Sequence, residues 1–206
     1  MSSVRMVCNV SGGGRTVLNF QDRIEAGELD AEIALVIADR ECKAIERCAA
    51  RGLAVELIPW ARGTDPADWG DRAWTRIEET GADLVCNAGF LRLLTVPPAW
   101  ENRIFNIHPA LLPEFGGKGM YGDHVHRAVL EAGREESGCT IHFVTNEYDT
   151  GPIVLQRRVP VKIDDDVDRL AARVFQAECE AYPEAVRLFG AGRISVVDGK
   201  VEIEDE

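Results

Sequence analysis

Val4-Arg5-Met6-Val7-Cys8-Asn9-Val10-Ser11-Gly12-Gly13-Gly14-Arg15-Thr16 is the stretch that decides the fold. Val4 to Val10 is a near-continuous apolar run, as expected of a strand buried on both faces. It stops at Ser11 and the glycines, after which Val17, Leu18, Phe20, Ile24 and Leu29 recur at roughly helical spacing. Strand, glycine-rich turn and amphipathic helix make the first part of a β-α-β unit. Such a turn aims backbone N–H groups at an anion, and glycines let the chain approach it closely. Gly12, Gly13, Gly14, Arg15 and Thr16 are therefore candidate phosphate contacts, with Arg15 adding charge. The alternative is a glycine-rich turn with no ligand. The spacing is neither GxGxxG nor GxxxxGK[ST], which disfavours NAD and ATP.

Working outward, Ala31 to Ala38 reads as a second buried strand and Cys42 to Arg51 as a helix stopped by Gly52. Ala54 to Trp60 gives a third strand. Pro66 to Thr80 is a helix, with proline in its first turn and Gly81 just past its end. Asp83 to Ala88 is the fourth strand. The alternation predicts an α/β fold: an open, mostly parallel, twisted sheet with helices on both faces and a Rossmann-like N-terminal half. Further on, Arg103 to His108, Thr140 to Thr145 and Ile153 to Val159 read as strands. Asp123 is placed to cap a helix running to about Ala132. Val167 to about Phe189 is a long amphipathic helix in which Pro183 predicts a kink or break. Arg193 to Ile203 forms a small C-terminal hairpin around Asp198-Gly199. The chain is read as a single domain over 1–206, with halves at 1–100 and 101–206.

The richest chemistry lies in Phe105-Asn106-Ile107-His108-Pro109-Ala110-Leu111-Leu112-Pro113. In a strand, residues i and i+2 share a face, so Asn106 and His108 project together. Pro109 lacks the N–H that a sheet ladder needs and ends the strand, placing the pair at its carboxyl end, where open α/β sheets bind ligands. An amide that donates to an oxyanion, beside a histidine that moves a proton, suits acyl transfer. A polar strand end with a hydrogen-bonded histidine is the competing reading. Gly89-Phe90-Leu91-Arg92-Leu93-Leu94, after the fourth strand, is either a wall for a flat apolar ring or a loop packed on the core. Asp149, between Asn146 and Pro152, is an ordinary turn residue unless the fold brings it to His108. Gly116, Gly117, Gly119 and Gly122 make Glu114 to Gly122 a candidate mobile loop. His124 and His126 are two apart on a helix and make a poor metal pair, so no metal is expected.

Composition narrows the function classes. Lys+Arg 23 against Asp+Glu 35 gives a net charge of −12, which argues against nucleic acid and anionic membranes as partners. A hydrophobic content of 46% supports a sizeable core. The six cysteines are scattered without CxxC, and Cys8, Cys86 and Cys139 lie in apolar runs, as expected of buried reduced thiols in the cytoplasm. The N-terminus reads as lacking a signal peptide's apolar core, and no run approaches membrane-spanning length.

Asn106 to Pro113 closely resembles the central motif of the folate-dependent formyltransferases. The resemblance extends over Ser11 to Gly14, Gly89 to Leu94, His126-Arg127, His142 to Thr145, Asp149 with Gly151-Pro152, and Glu178 with Tyr182-Pro183. It implies formyl transfer from 10-formyltetrahydrofolate, without a metal, to an amine, glycinamide ribonucleotide (GAR) of purine biosynthesis being the acceptor matched best. By resemblance, Asn106, His108 and Asp149 form the catalytic trio. Leu91, Arg92, Leu93 and Leu94, with Asn106, Thr145, Asn146, Glu147, Tyr148 and Asp149, hold the folate. Gly12, Gly13, Gly14, Arg15 and Thr16 hold the phosphate of GAR, and Glu178 its glycinamide-ribose part. The chain departs from the family pattern at Arg15-Thr16, where Ser-Asn is common. It departs again in the longer Gly116 to Gly122 loop and at Phe175, where a polar contact is frequent. An amino-sugar nucleotide as acceptor, and a non-catalytic phosphate-binding module, are the rival readings. Asp149 beside His108 is expected to favour the imidazolium.

Overall fold

The structure, a computed structural model, describes residues 3–61 and 63–205. It forms two compact units, one up to Phe105 and one from Asn106. A seven-stranded sheet has the order β3 (Val55–Leu57), β2 (Ala31–Ala38), β1 (Val4–Val10), β4 (Leu84–Asn87), β5 (Ile104–His108), β6 (Glu136–Phe143), β7 (Ile153–Pro160), and β8 (Ile194–Val197) and β9 (Lys200–Ile203) form a separate hairpin. The predicted mostly parallel α/β architecture and the C-terminal hairpin are both present.

In the first unit, β1 (Val4–Val10) lies between β2 (Ala31–Ala38) and β4 (Leu84–Asn87), parallel to both, and β3 (Val55–Leu57) runs parallel to β2. The helices α1 (Arg15–Glu25), α2 (Lys43–Ala49) and α3 (Pro66–Glu79) alternate with them. Val7, Cys8, Val10, Val36, Ile37, Val85 and Cys86 are fully buried, which is why these strands lack polar alternation. The Asp65 carboxylate caps α3 by accepting from the Ala67 N–H at 2.9 Å, and Pro66 stands in the first turn.

β3 is three residues long, shorter than the predicted Ala54–Trp60. It is an outer strand, paired with β2 on one side alone. Ile58 and Trp60 still donate to the Ala38 and Asp39 carbonyls at 2.9 and 2.7 Å.

The second unit holds β6 (Glu136–Phe143) antiparallel to β7 (Ile153–Pro160), with α4 (Asp123–Glu131) and α5 (Val167–Gly190). β6 starts four residues before the predicted Thr140, because Gly138 gives the backbone of β7 room to approach: a Cβ there would lie 2.0 Å from the Arg157 carbonyl oxygen. Asp123 is not the cap of α4. Gly122 occupies that position with a φ of 52°, and Asp123 is the first helical residue.

Of the kink or break predicted at Pro183, the break is absent, for α5 continues through it. Proline inside a helix costs about 3 kcal/mol. Leu170, Val174, Tyr182 and Val186 are fully buried as α5 packs on β6 and β7, and each such burial contributes roughly 1.5–3 kcal/mol, which outweighs that cost. The hairpin β8 (Ile194–Val197) and β9 (Lys200–Ile203) turns at Asp198 and Gly199, both at positive φ, as a two-residue turn requires.

Candidate active site

β5 (Ile104–His108) ends in the alternation Asn106-Ile107-His108. Ile107 and His108 are buried and Asn106 is half-buried. Asn106 meets β6, its Nδ2 lying 3.1 Å from Nε2 of His142. The other ring nitrogen of His142, Nδ1, is 2.8 Å from the Phe143 carbonyl oxygen. A carbonyl only accepts, so Nδ1 carries a hydrogen. With that hydrogen on Nδ1, Nε2 faces the Asn106 amide on one side and Oδ1 of Asp149, 3.6 Å away, on the other.

His108 is held by the loop that follows it. Its Nε2 donates to the Phe115 carbonyl at 2.8 Å, and its Nδ1 lies 3.6 Å from Oδ2 of Asp149. Asp149 sits in the β6–β7 loop at a φ of 56°, a left-handed conformation that a short polar side chain tolerates. Its Oδ2 accepts from the Gly117 N–H at 2.9 Å, and its Oδ1 is 3.6 Å from Nε2 of His142. Asn106, His108 and Asp149 are therefore brought together within one unit. His142 completes the cluster, and the sequence reading gave it no role. The alternation of β6 was legible, but which β6 side chain faces Asn106 depends on cross-strand register.

Burial is the largest influence on His108 and lowers its pKa; Asp149 and the Phe115 carbonyl pull the other way, His142 adds to the lowering, and the net is below the ordinary value. The expected pull of Asp149 toward imidazolium is present, but desolvation outweighs it. Burial alone would raise Asp149. The His142 and His108 rings and the Gly117 N–H overcome it and hold the carboxyl below its ordinary value. His126 on α4 is also buried and its pKa is lowered, whereas His124 is exposed, edge-on to Tyr121. Among the described residues no group of His, Cys, Asp and Glu could hold a metal ion.

The remaining folate and substrate candidates of this unit lie on the β6–β7 loop and α5. Thr145 is half-buried, while Asn146, Glu147 and Tyr148 are exposed, and the Thr145 hydroxyl ties the loop to Glu147 and Thr150. Glu178 is half-buried on α5 near Cys139, whose thiol is pushed up to about 12, first by burial and next by that carboxylate.

In the first unit, Gly14 caps α1 at a φ of 71°, and a Cβ there would lie 2.8 Å from Cβ of Ala44. Its conformation and its packing on α2 both demand glycine. Gly12, Gly13 and Arg15 are exposed and Thr16 is half-buried; the Gly12 and Gly13 carbonyls accept from the Ala44 N–H and Arg47, each at 3.0 Å. Leu91, Arg92 and Leu93 are half-buried, while Leu94 is 1% exposed and belongs to the core. The Leu91 N–H donates to the Ser11 hydroxyl at 2.9 Å, and Arg92 Nε donates to Asp39 at 2.8 Å.

Residues 4–186 match the formyl transferase family. The chain belongs to that family. Among its relatives, the chloroplastic phosphoribosylglycinamide formyltransferase of Vigna unguiculata is 40% identical over 192 residues, covering 90% of this chain and 60% of that protein. The phosphoribosylglycinamide formyltransferase of Escherichia coli (strain K12) is 33% identical, covering 94% and 90%. In three dimensions, glycinamide ribonucleotide transformylase 1 of Symbiobacterium toebii superposes with a TM-score of 0.90 at 36% identity, over 98% of this chain and 94% of that one. The chain thus spans about three fifths of the Vigna protein and nearly the whole of the Escherichia coli and Symbiobacterium ones. Membership in a formyl transferase family gives the His108 cluster a chemical context: an amide and an imidazole beside a carboxylate, the groups an acyl transfer through an oxyanion uses.

Proposed function

We propose that this chain transfers the formyl group of 10-formyltetrahydrofolate to the amine of glycinamide ribonucleotide, a step of purine biosynthesis. The observation that carries the reading is the meeting of Asn106, His108, His142 and Asp149 within one unit of a family member. The names of the relatives above support the acceptor and the reaction.

The amine nitrogen attacks the formyl carbon and forms the new C–N bond. The carbonyl oxygen becomes an oxyanion, and the bond to N10 of the folate then breaks. One proton leaves the amine and one reaches N10. The amide N–H of Asn106 donates to the oxyanion. His108, neutral in the unliganded site, accepts a proton at Nδ1, facing Asp149. The imidazolium so formed is stabilised by that carboxylate and by the oxyanion, and it donates in turn. Thr145 to Asp149 contact the folate and Glu178 the glycinamide-ribose part. In the first unit, Leu91 to Leu94 contact the folate, and Gly12 to Thr16 the phosphate. We place the enzyme in the cytoplasm, where its free thiols stay reduced.

An assay of formyl transfer from 10-formyltetrahydrofolate, with GAR and amino-sugar nucleotides as competing acceptors, tests this. GAR is expected to be consumed preferentially. Preference for the amino sugar would reassign the acceptor, and no transfer to either would refute the reading.

A further inference from the structure

Asp39 follows β2 immediately and is fully buried, yet no step of formyl transfer uses its carboxylate. A buried charge is costly unless paired and hydrogen-bonded, and Asp39 is heavily engaged. Arg40 reaches it with Nε at 3.1 Å and Nη2 at 2.9 Å, and Arg92 with Nε at 2.8 Å. The Ser11 hydroxyl is hydrogen-bonded to the carboxylate as well, and burial, which would raise its pKa, is outweighed by these partners. The backbone of Asp39 takes part too, donating to the Val10 carbonyl at 3.3 Å and accepting from the Trp60 N–H at 2.7 Å.

These bonds reach the segments that follow four neighbouring strands: Ser11 after β1, Trp60 after β3, Leu91 and Arg92 after β4, and Asp39 itself after β2. Gly89 to Leu94 has no regular structure of its own. Its course is set instead by tertiary contacts. The Ser11 N–H donates to the Gly89 carbonyl at 3.0 Å, and the Ser11 hydroxyl accepts from Leu91. Arg92 is fixed by Asp39 and lies over the Trp60 ring at 5.1 Å. Leu94 anchors the far end in the core. Asp39 acts on this loop both directly, through Arg92, and through Ser11.

We propose that Asp39 is a positioning residue for the formyl donor, a latch that holds Leu91 to Leu94 in the conformation that receives the folate. The proposal rests on the reading that this loop contacts the folate. It separates Asp39 from a residue of general stability, because a latch of this loop affects one substrate more than the other.

The test is Asp39→Asn, which keeps the size but replaces an acceptor by an amide whose N–H groups face the arginine donors. The KM for 10-formyltetrahydrofolate, and the Kd for unreactive 5-formyltetrahydrofolate by calorimetry, are expected to rise at least about 10-fold. The KM for GAR and kcat at saturating folate are expected to stay within about 3-fold. Ser11→Ala, a smaller change that removes only the relay to Leu91, is expected to raise the folate KM in the same direction. Arg40→Ala leaves the Arg92 bond in place and is expected to keep the parent's folate KM. An unchanged folate KM in Asp39→Asn, or equal rises for folate and GAR, overturns the latch and leaves the reaction assigned above intact. If Asp39→Asn does not fold, an unchanged folate KM in Ser11→Ala overturns it. A parent enzyme that neither transfers formyl nor binds 5-formyltetrahydrofolate overturns the assigned reaction, and the latch with it.

Discussion

Asn106 lies 3.1 Å from His142, and the proposed formyl transfer asks its amide to donate to the oxyanion. Asn106→Ala removes the donor and is expected to lower kcat by ~100- to 1000-fold, the usual loss for one oxyanion donor. Steady-state kinetics on a folded variant check this, and a loss under 10-fold would remove Asn106 from the oxyanion site. His108 is decided by two opposed effects, burial lowering its pKa and Asp149 raising it. Asp149→Asn keeps the shape and removes the charge, so the ring is expected to titrate at still lower pH. A histidine acting first as a neutral acceptor gives kcat/KM an acidic limb, and the substitution moves that limb down, with a large drop in turnover. NMR titration of the His108 ring in both proteins, alongside the pH–rate profiles, checks the direction. A midpoint that does not move would uncouple the two residues. Asn106, His108 and Asp149 were legible in the sequence because a strand's period and a known motif single them out. His142 and Asp39 were not, since their importance comes from partners in other strands and loops. Arg15 belongs to this scale too. If its guanidinium binds phosphate, Arg15→Ala is expected to cost on the order of 1.5–3 kcal/mol in GAR binding and little in folate binding. Equal losses by calorimetry would take Arg15 out of the phosphate site.

At the scale of elements, sequence and structure part company where neighbours decide the outcome. Strands β1 and β2 were legible because fully apolar runs have few other ways to be buried. β3 is short at an outer position, β6 is extended by the close approach of β7 at Gly138, and α5 survives Pro183 through its packing. The Asp166 side chain accepts from the Arg169 N–H at 2.8 Å and caps α5. Asp166→Ala is expected to cost about 1 kcal/mol and to lower Tm by roughly 2–4 °C, measurable by calorimetry at neutral pH. The loop Glu114 to Gly122 carries more consequence for function. Its Phe115 carbonyl and Gly117 N–H bind His108 and Asp149, so the loop is bonded to two of the proposed catalytic groups. We expect it to behave as a lid over bound substrate. Trypsin cleavage after the exposed Lys118 is expected to slow when GAR or 5-formyltetrahydrofolate is added. Equal cleavage rates with and without saturating ligand would refute a lid.

At the scale of the whole chain, the net charge of −12 and the buried histidines make opposite demands on pH. His108 and His126 both have pKa values lowered by burial, so each takes up a proton on unfolding. Between the folded pKa and the ordinary value of about 6.5, the unfolded chain binds more protons, and stability falls as pH falls. The carboxyls of Asp39 and Asp149, held below their ordinary values, act in the same direction at still lower pH, below the carboxylate range. Self-repulsion among the excess carboxylates runs the other way, since acidification relieves it. From pH 7.5 to 5.5 most carboxyls of the unfolded chain stay ionised while its histidines become protonated. The histidine effect is therefore expected to win there, with Tm lower at pH 5.5 than at pH 7.5. Repulsion has its own signature: added salt at pH 7.5 screens it and raises Tm, because the Debye length falls from about 10 Å at 0.1 M to about 3 Å at 1 M. Calorimetry at the two pH values, each at low and high salt, separates the terms. A Tm that rises on acidification at low salt, and no longer does so at high salt, would mean that charge relief outweighs the buried histidines.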